Sequence, residues 1–209
     1  MLWTLLGIII SYLAGSIPTA YIFGRVIKGT DIRKFGSGNV GATNALRLLG
    51  KGWGVTVLAL DILKGFLPVV ILPGVIGSAV NIPLESFYIL IGLACICGHN
   101  WTIFLNFKGG KGVATTLGVL LGLSVKIAGL KIILGLAVLI WLAVFIISRI
   151  ISLSSVLAAL SFPFLAVLFR QSHGLILIFT LLAAFIIFRH RSNIQRILKG
   201  QEPKLSFKK

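Results

Sequence analysis

Long apolar runs alternate with short polar segments along the chain, and within the runs hydrophobic residues are continuous rather than alternating. A run of about 20 apolar residues crosses a bilayer as a helix, whereas barrel strands are shorter and alternate in and out. The pattern predicts a first helix from about Leu2 to Phe23, with a kink near Ser16 and Pro18 because proline removes a backbone hydrogen bond. A polar segment, Arg25 to Gly54, reads as a loop. A second helix is predicted from Val55 to Leu72, stopped by Pro73-Gly74, and a third from Ile82 to Gly98. A second polar segment, His99 to Gly112, follows.

Val113 to Ile147 would make a single helix of roughly 52 Å at ~1.5 Å per residue, against a hydrocarbon core of ~30 Å. It must therefore be two segments with a turn around Ser124 to Lys131, the first of them, Val113 to Leu123, being short. Ser152 to Phe169 and Gly174 to Phe188 complete the set, and a basic tail, Arg189 to Lys209, closes the chain. The prediction is an all-α, polytopic membrane protein of seven transmembrane helices, one of them short, forming one domain over residues 1–209.

Composition supports this and excludes a soluble globule. The 209 residues are 57% hydrophobic and 11% charged, with mean hydropathy +1.07. The net charge of +16 would suggest nucleic acid in a soluble protein, but in a membrane protein it reads as topology and attraction to anionic lipid. With seven crossings, Arg25–Lys51, Lys108–Lys111, Arg149 and the tail share one face and hold 16 of the 20 Lys and Arg residues. Lys126, Lys131 and Arg170 lie opposite. That asymmetry predicts an amino terminus outside, a carboxyl terminus in the cytoplasm, and the segments 36–51, 98–115 and 189–202 on the cytoplasmic face. If 113–147 crossed once, the basic tail would face outward. The first apolar run lacks a basic leader and is long for a signal peptide, so a retained helix is expected. Cys95 and Cys97, inside an apolar run, are expected to pack as small hydrophobes.

Chemistry is concentrated in the polar segments. The first, Gly36-Ser37-Gly38-Asn39-Val40-Gly41-Ala42-Thr43-Asn44 on to Arg47 and Lys51, combines permissive glycines with uncharged donors and a guanidinium suited to phosphate oxygens. The second runs from Gly98-His99-Asn100 to Phe107-Lys108-Gly109-Gly110-Lys111-Gly112. It is no Walker A loop, because the leading glycine and the Ser or Thr after Lys111 are missing, yet glycines and ammonium groups at a helix mouth suit an anion. In the third, Arg189-His190-Arg191-Ser192-Asn193, His190 and Asn193 share a helical face. Lys199, Lys204, Lys208 and Lys209 read as a juxtamembrane lipid anchor. Asp61, one turn from Lys64, is an acid midway along a predicted span, and a structural salt link and a catalytic role are equally open to it. No His and carboxylate cluster has the pattern of a catalytic metal site, and no HxxxxD acyltransferase dyad follows any histidine. A transporter or channel for phosphate or a phosphorylated solute is the alternative. It would need polar groups continuing through the membrane, and the chain shows neither these nor an internal repeat.

At these residues the chain resembles the bacterial acyl-phosphate:glycerol-3-phosphate acyltransferases. The family pattern GSGNxGATNxxRxxG stands at 36–50 and GHxxPxFxxFKGGKGVAT at 98–115, with Thr102 at the usual proline. HRxNIxRLxxGxE stands at 190–202, with Ile197 for leucine. The resemblance implies transfer of a fatty acyl group from acyl phosphate to the 1-hydroxyl of glycerol 3-phosphate, giving lysophosphatidic acid in a bacterial inner membrane. It implies no cofactor, no metal and no obligatory acyl carrier protein or coenzyme A. It implies catalytic roles for Ser37, Arg47, Lys108, His190 and Asn193. Substrate contacts would come from Gly38, Asn39, Gly41, Thr43, Asn44, His99, Gly109, Gly110, Lys111, Gly112, Arg191 and Glu202. Ser37, Arg47, Lys108, His190 and the amides of 109–112 would hold phosphate, while Asn44 and Asn193 would orient hydroxyls. Either His190 or the donor's own phosphate would take the hydroxyl proton.

Overall fold

The computed structural model describes residues 1–205; Lys208 and Lys209 of the expected lipid anchor lie outside the described residues. Regular structure among the described residues is helical. The chain divides after Ile127 into two compact units.

The first unit holds α1 (Leu2–Ser16), α2 (Thr19–Lys28), α3 (Ala42–Leu49), α4 (Lys51–Ile76), α5 (Leu84–Asn100) and α6 (Val113–Lys126). The kink expected at Ser16 and Pro18 is a full break. Ile17 takes φ −56°, ψ 113°, outside the helical region, as a residue preceding proline tends to. The polar segment Arg25–Gly54 is not a loop throughout. Ile32–Lys34 forms a 3-10 turn, and 42–49 form α3, which Gly50 alone, at φ 85°, separates from α4. The expected stop at Pro73-Gly74 does not occur either. The helix runs through Pro68 and Pro73 to Ile76, since prolines inside membrane helices are tolerated where neighbouring groups re-satisfy the freed backbone.

The helices approach closely where one lacks a side chain. α4 packs on α6 with Gly65 against the carbonyl of Thr115 and Gly118 against that of Ile62, and α1 packs on α5 with Gly15 against Cys95 and Gly98 against Tyr12. In lipid the drive between helices is packing rather than water exclusion, so small residues mark the contact faces. A buried cluster of Ala20, Ile32, Val40, Ala45, Val57 and Leu105 fastens the first two motif segments to α2 and α4.

The second unit holds α7 (Leu130–Ser148), α8 (Ile151–Leu168), α9 (His173–Arg189) and α10 (Arg191–Leu198). Tight turns at Arg149 and Arg170, both at positive φ, fold α7 on α8 and α8 on α9. The break between α6 and α7 falls at 127–129, inside the predicted turn.

Among the described residues, five stretches are long and apolar enough to cross a membrane: Leu2–Lys28, Lys51–Ala79, Leu84–Leu105, Leu130–Ser148 and Ile151–Leu168. A sixth is the pair α9 and α10 taken together, bent by 62°. The α6 helix is apolar but has 14 residues, about 21 Å of rise.

Candidate active site

In the first motif, Asn44 organises its own turn. Its Nδ2 donates to the carbonyls of Ile32 and Phe35 at 3.1 and 3.0 Å, and its Oδ1 accepts the Ser37 amide at 3.2 Å. The Asn44 side chain, expected to orient a substrate hydroxyl, is buried and engaged in the loop. Gly41 starts α3 and Thr43 is half-buried, while Ser37 and Arg47 are exposed. Gly38 and Asn39 are half-buried beside them. Nearby, Arg33 grips Asp31 through both carboxylate oxygens, and Arg25 and Arg33 lie over the Tyr21 ring at 5.4 and 5.2 Å. Hydrogen bonds from Arg33 hold the Asp31 carboxyl down at about 2.

The second motif folds back over the end of α5 as a strap. The Gly109 amide donates to the Asn100 carbonyl at 3.1 Å and the Gly110 amide to that of His99 at 3.0 Å. Of the amides of 109–112 expected to hold phosphate, those of 109 and 110 are thus engaged with the end of α5. The glycines also answer to space. A Cβ on Gly109 would collide with the His99 carbonyl oxygen, and one on Gly110 with His99 Nε2. Gly112 sits at φ 78° and caps α6. Lys108 is exposed, Lys111 half-buried, and His99 buried. Thr102, standing where the family has proline, donates its hydroxyl to the Ser16 carbonyl and accepts from the Phe104 amide at 3.2 Å.

Beneath the strap lies a narrow cleft lined by Pro18, Thr19, Val40, Lys64, His99 and Gly110, among others. It joins the first two motifs to the break between α1 and α2. Asp61 and Lys64 meet on its inner side, with Lys64 Nζ 2.8 Å from Asp61 Oδ1, as their one-turn spacing predicts. Thr19 donates to the same carboxylate oxygen at 2.5 Å, and His99 Nδ1 is 3.8 Å from it. Thr115 Oγ1 and His99 Nδ1 share a hydrogen bond of 3.1 Å.

The third motif is built in the second unit. His190 ends α9 and starts α10, and its Nδ1 lies 2.8 Å from the Ile186 carbonyl. A carbonyl only accepts, so Nδ1 carries the proton and Nε2 is the basic atom of the neutral ring. Both His190 and Asn193 are buried, and Arg191 is exposed over the Phe188 ring at 5.0 Å. Glu202, expected on substrate, collects protein donors instead: Asn193 Nδ2 at 2.6 Å, Ser152 Oγ at 2.7 Å and Arg196 Nε at 2.7 Å. Burial pushes its carboxyl up, but these hydrogen bonds outweigh burial and leave it below its ordinary value.

Thr19, Thr102 and Ser152 are participants that residue-by-residue reading missed. Each is a lone hydroxyl whose partner is remote in sequence, so no local signal marked it. Thr115 stood inside the second motif without an assigned role.

A family described as Glycerol-3-phosphate acyltransferase matches residues 5–200. The chain is 49% identical to "Glycerol-3-phosphate acyltransferase 2" of Moorella thermoacetica, over 96% of this chain and 97% of that protein. It is 42% identical to "Glycerol-3-phosphate acyltransferase" of Desulforudis audaxviator, over 96% and 94% of the two. Among solved structures it is similar to the glycerol 3-phosphate form of PlsY (YgiH), an integral membrane glycerol 3-phosphate acyltransferase. The TM-score is 0.83 and the identity 38%, over 97% of this chain and 96% of that one. The lysophosphatidic acid form of PlsY (YgiH) matches with TM-score 0.80 and 37% identity, over 97% and 95%.

Proposed function

This chain belongs to the glycerol-3-phosphate acyltransferase family, and from that premise we propose that it acylates the 1-hydroxyl of sn-glycerol 3-phosphate with acyl phosphate as donor. The products are lysophosphatidic acid and inorganic phosphate. The observation that carries the reading is the cleft in the first unit. The first two family motifs meet there around a buried imidazole and a buried ammonium, His99 and Lys64.

An acyl phosphate is a mixed anhydride, already activated, so no covalent enzyme intermediate is needed. The 1-hydroxyl oxygen attacks the acyl carbon, the C–O bond to phosphate breaks, and the hydroxyl proton leaves to a base. The protein's task is to align two anions that repel each other. Ser37, Arg47 and Lys108 take phosphate oxygens in the first unit; with the amides of 109 and 110 occupied, this falls to side chains and the first turn of α6. In the second unit His190 Nε2 is the base and Asn193 a hydroxyl partner, their orientations supported by Ile186 and Glu202.

The cationic segments face the cytoplasm of a bacterial membrane, with α6 and α9 as the remaining two of seven crossings and the amino terminus outside. The charge asymmetry of 16 against three supports this orientation. No cofactor, metal, acyl carrier protein or coenzyme A is required, and membrane lipid is the standing partner. Purified protein, given labelled glycerol 3-phosphate and synthetic acyl phosphate, is expected to form lysophosphatidic acid unaided. Product from acyl-coenzyme A instead would overturn the donor, and product from neither donor would overturn the reaction. His190→Ala is expected to lower kcat by about 100-fold or more. Near-normal turnover with a flat pH profile would leave the proton to the donor phosphate.

A further inference from the structure

The break between α1 and α2 leaves backbone carbonyls inside the protein, where each needs a donor. Two of them find one on a distant element: Thr102 donates to Ser16 and Lys64 Nζ to the Ile17 carbonyl at 2.7 Å. On the far side of the break, Thr19 opens α2 and donates to Asp61. The ion pair on α4 therefore clasps both lips of the break, Lys64 the α1 lip and Asp61 the α2 lip. An ion pair one turn apart on one helix can satisfy itself locally. This one spends its remaining capacity across the cleft. Its side chains are 7% and 1% exposed. A buried pair of this kind gives little net stability over apolar residues of the same volume, and losing one partner is costly. Geometry, not stability, is what the extra partners add.

The same carboxylate lies 3.8 Å from His99 Nδ1, a packing and electrostatic contact beside the 3.1 Å hydrogen bond of that nitrogen with Thr115, and the other ring nitrogen of His99 abuts Gly110 so closely that no Cβ fits between them. A path of direct contacts runs from the helix break through Asp61 and His99 to the strap carrying Lys108. We infer that Asp61 and Lys64 are positioning residues for the acyl transfer: their pair sets the α1–α2 break and the His99 ring, and through them the strap over the cleft. The inference rests on the acyl-transfer reading above. A misplacement on the order of 1 Å at such a site lowers turnover by up to ~100-fold.

The test uses Asp61→Asn, Lys64→Met and the double variant, purified as full chains. Each single variant is expected to melt lower and turn over more slowly, because one buried charge loses its partner. The double variant has no unpaired charge and is expected to regain most of the melting temperature. Its kcat is expected to stay at least ~10-fold below wild type, with both KM values within ~3-fold. A double variant with wild-type kcat would reduce the pair to a salt link and overturn the inference. So would a raised KM for glycerol 3-phosphate at unchanged kcat, which marks a substrate contact. Hydrogen exchange supplies a readout independent of activity: amides 109 and 110 are expected to exchange at least ~10-fold faster in the double variant, with the interior of α7 unchanged. Unchanged exchange at 109 and 110 overturns the inference. If wild-type protein makes no product, the acyl-transfer reading fails, and the exchange result still decides whether the pair holds the strap.

Discussion

Residues 98–115 in the first unit and 190–202 in the second are both fastened next to residues of catalytic interest, by opposite means. The strap is tied by main chain: the amides of 109 and 110 donate to the carbonyls of 100 and 99, and the glycines are there because nothing larger fits against His99. The carboxyl-terminal segment has main-chain bonds too, such as that of the Gln201 amide to the Arg196 carbonyl at 2.7 Å, but its side-chain hub is Glu202, which accepts from α8 and twice from α10. A fastening made of backbone neither titrates nor tolerates an added atom. A fastening made of a carboxylate tolerates a conservative exchange and depends on pH.

The largest effect that sharpens this contrast is expected at the strap. Gly110→Ala must displace the His99 ring or the strap, and activity is expected to fall by about 100-fold. Steady-state rates on folded protein check this, and a near-wild-type rate would mean that the strap is looser than its contacts imply. At the other fastening, Glu202→Ala removes the shared acceptor of three donors and is expected to destabilise by roughly 2–3 kcal/mol in chemical denaturation. Glu202→Gln keeps acceptor capacity and is expected to cost about 1 kcal/mol. Equal losses for Ala and Gln would show that the charge alone matters.

Acid separates the two further. Glu202 and Asp31 have folded-state values below their ordinary ones, so the stability they add is complete above the ordinary carboxyl range and is lost as pH falls through the folded values. For Asp31 the window runs from 3.8 down to about 2. Melting temperature followed against pH is expected to lose part of this acid slope in Glu202→Gln, and a smaller part in Asp31→Asn. The partners of Asp31, Arg25 and Arg33, are 47% and 36% exposed and so screened by solvent. Gly110→Ala is expected to keep the full slope. The smallest effect is at Thr102. Its φ of −66° already suits proline. Thr102→Ala loses the bond to Ser16 and is expected to cost about 1 kcal/mol, whereas Thr102→Pro recovers part of that by restricting the unfolded chain.

The helix boundaries that could be read in advance are those set by one residue or by length. Pro18 forces Ile17 out of the helical region, and the run 113–147 is too long to cross once. The boundaries that could not be read depend on neighbours. Pro73 looked like a stop, but the helix passes through it, as membrane helices tolerate proline where neighbouring groups re-satisfy the backbone. The segment 42–49 looked like loop because its small polar residues favour loops, yet it is α3, with Asn44 turned inward to close the 32–37 turn. The strap glycines have a packing role beside the expected ligand role. Their spacing is visible in the chain, but whether an amide faces a ligand or a neighbouring carbonyl depends on where the end of α5 lies.

By itself the amino-acid sequence determined the solvent, the helical class, the three motif segments and the Asp61–Lys64 spacing. These follow from hydropathy, backbone sterics and helical periodicity, which act over a few residues. Only the tertiary structure decided which polar groups are taken up inside the protein. Asn44 and Glu202 serve the loops, Thr19 and Lys64 serve the broken helix, and the amides of 109 and 110 serve α5. The physical reason is that a buried donor or acceptor must be paired, and in these cases the partner is supplied by how the chain folds back on itself.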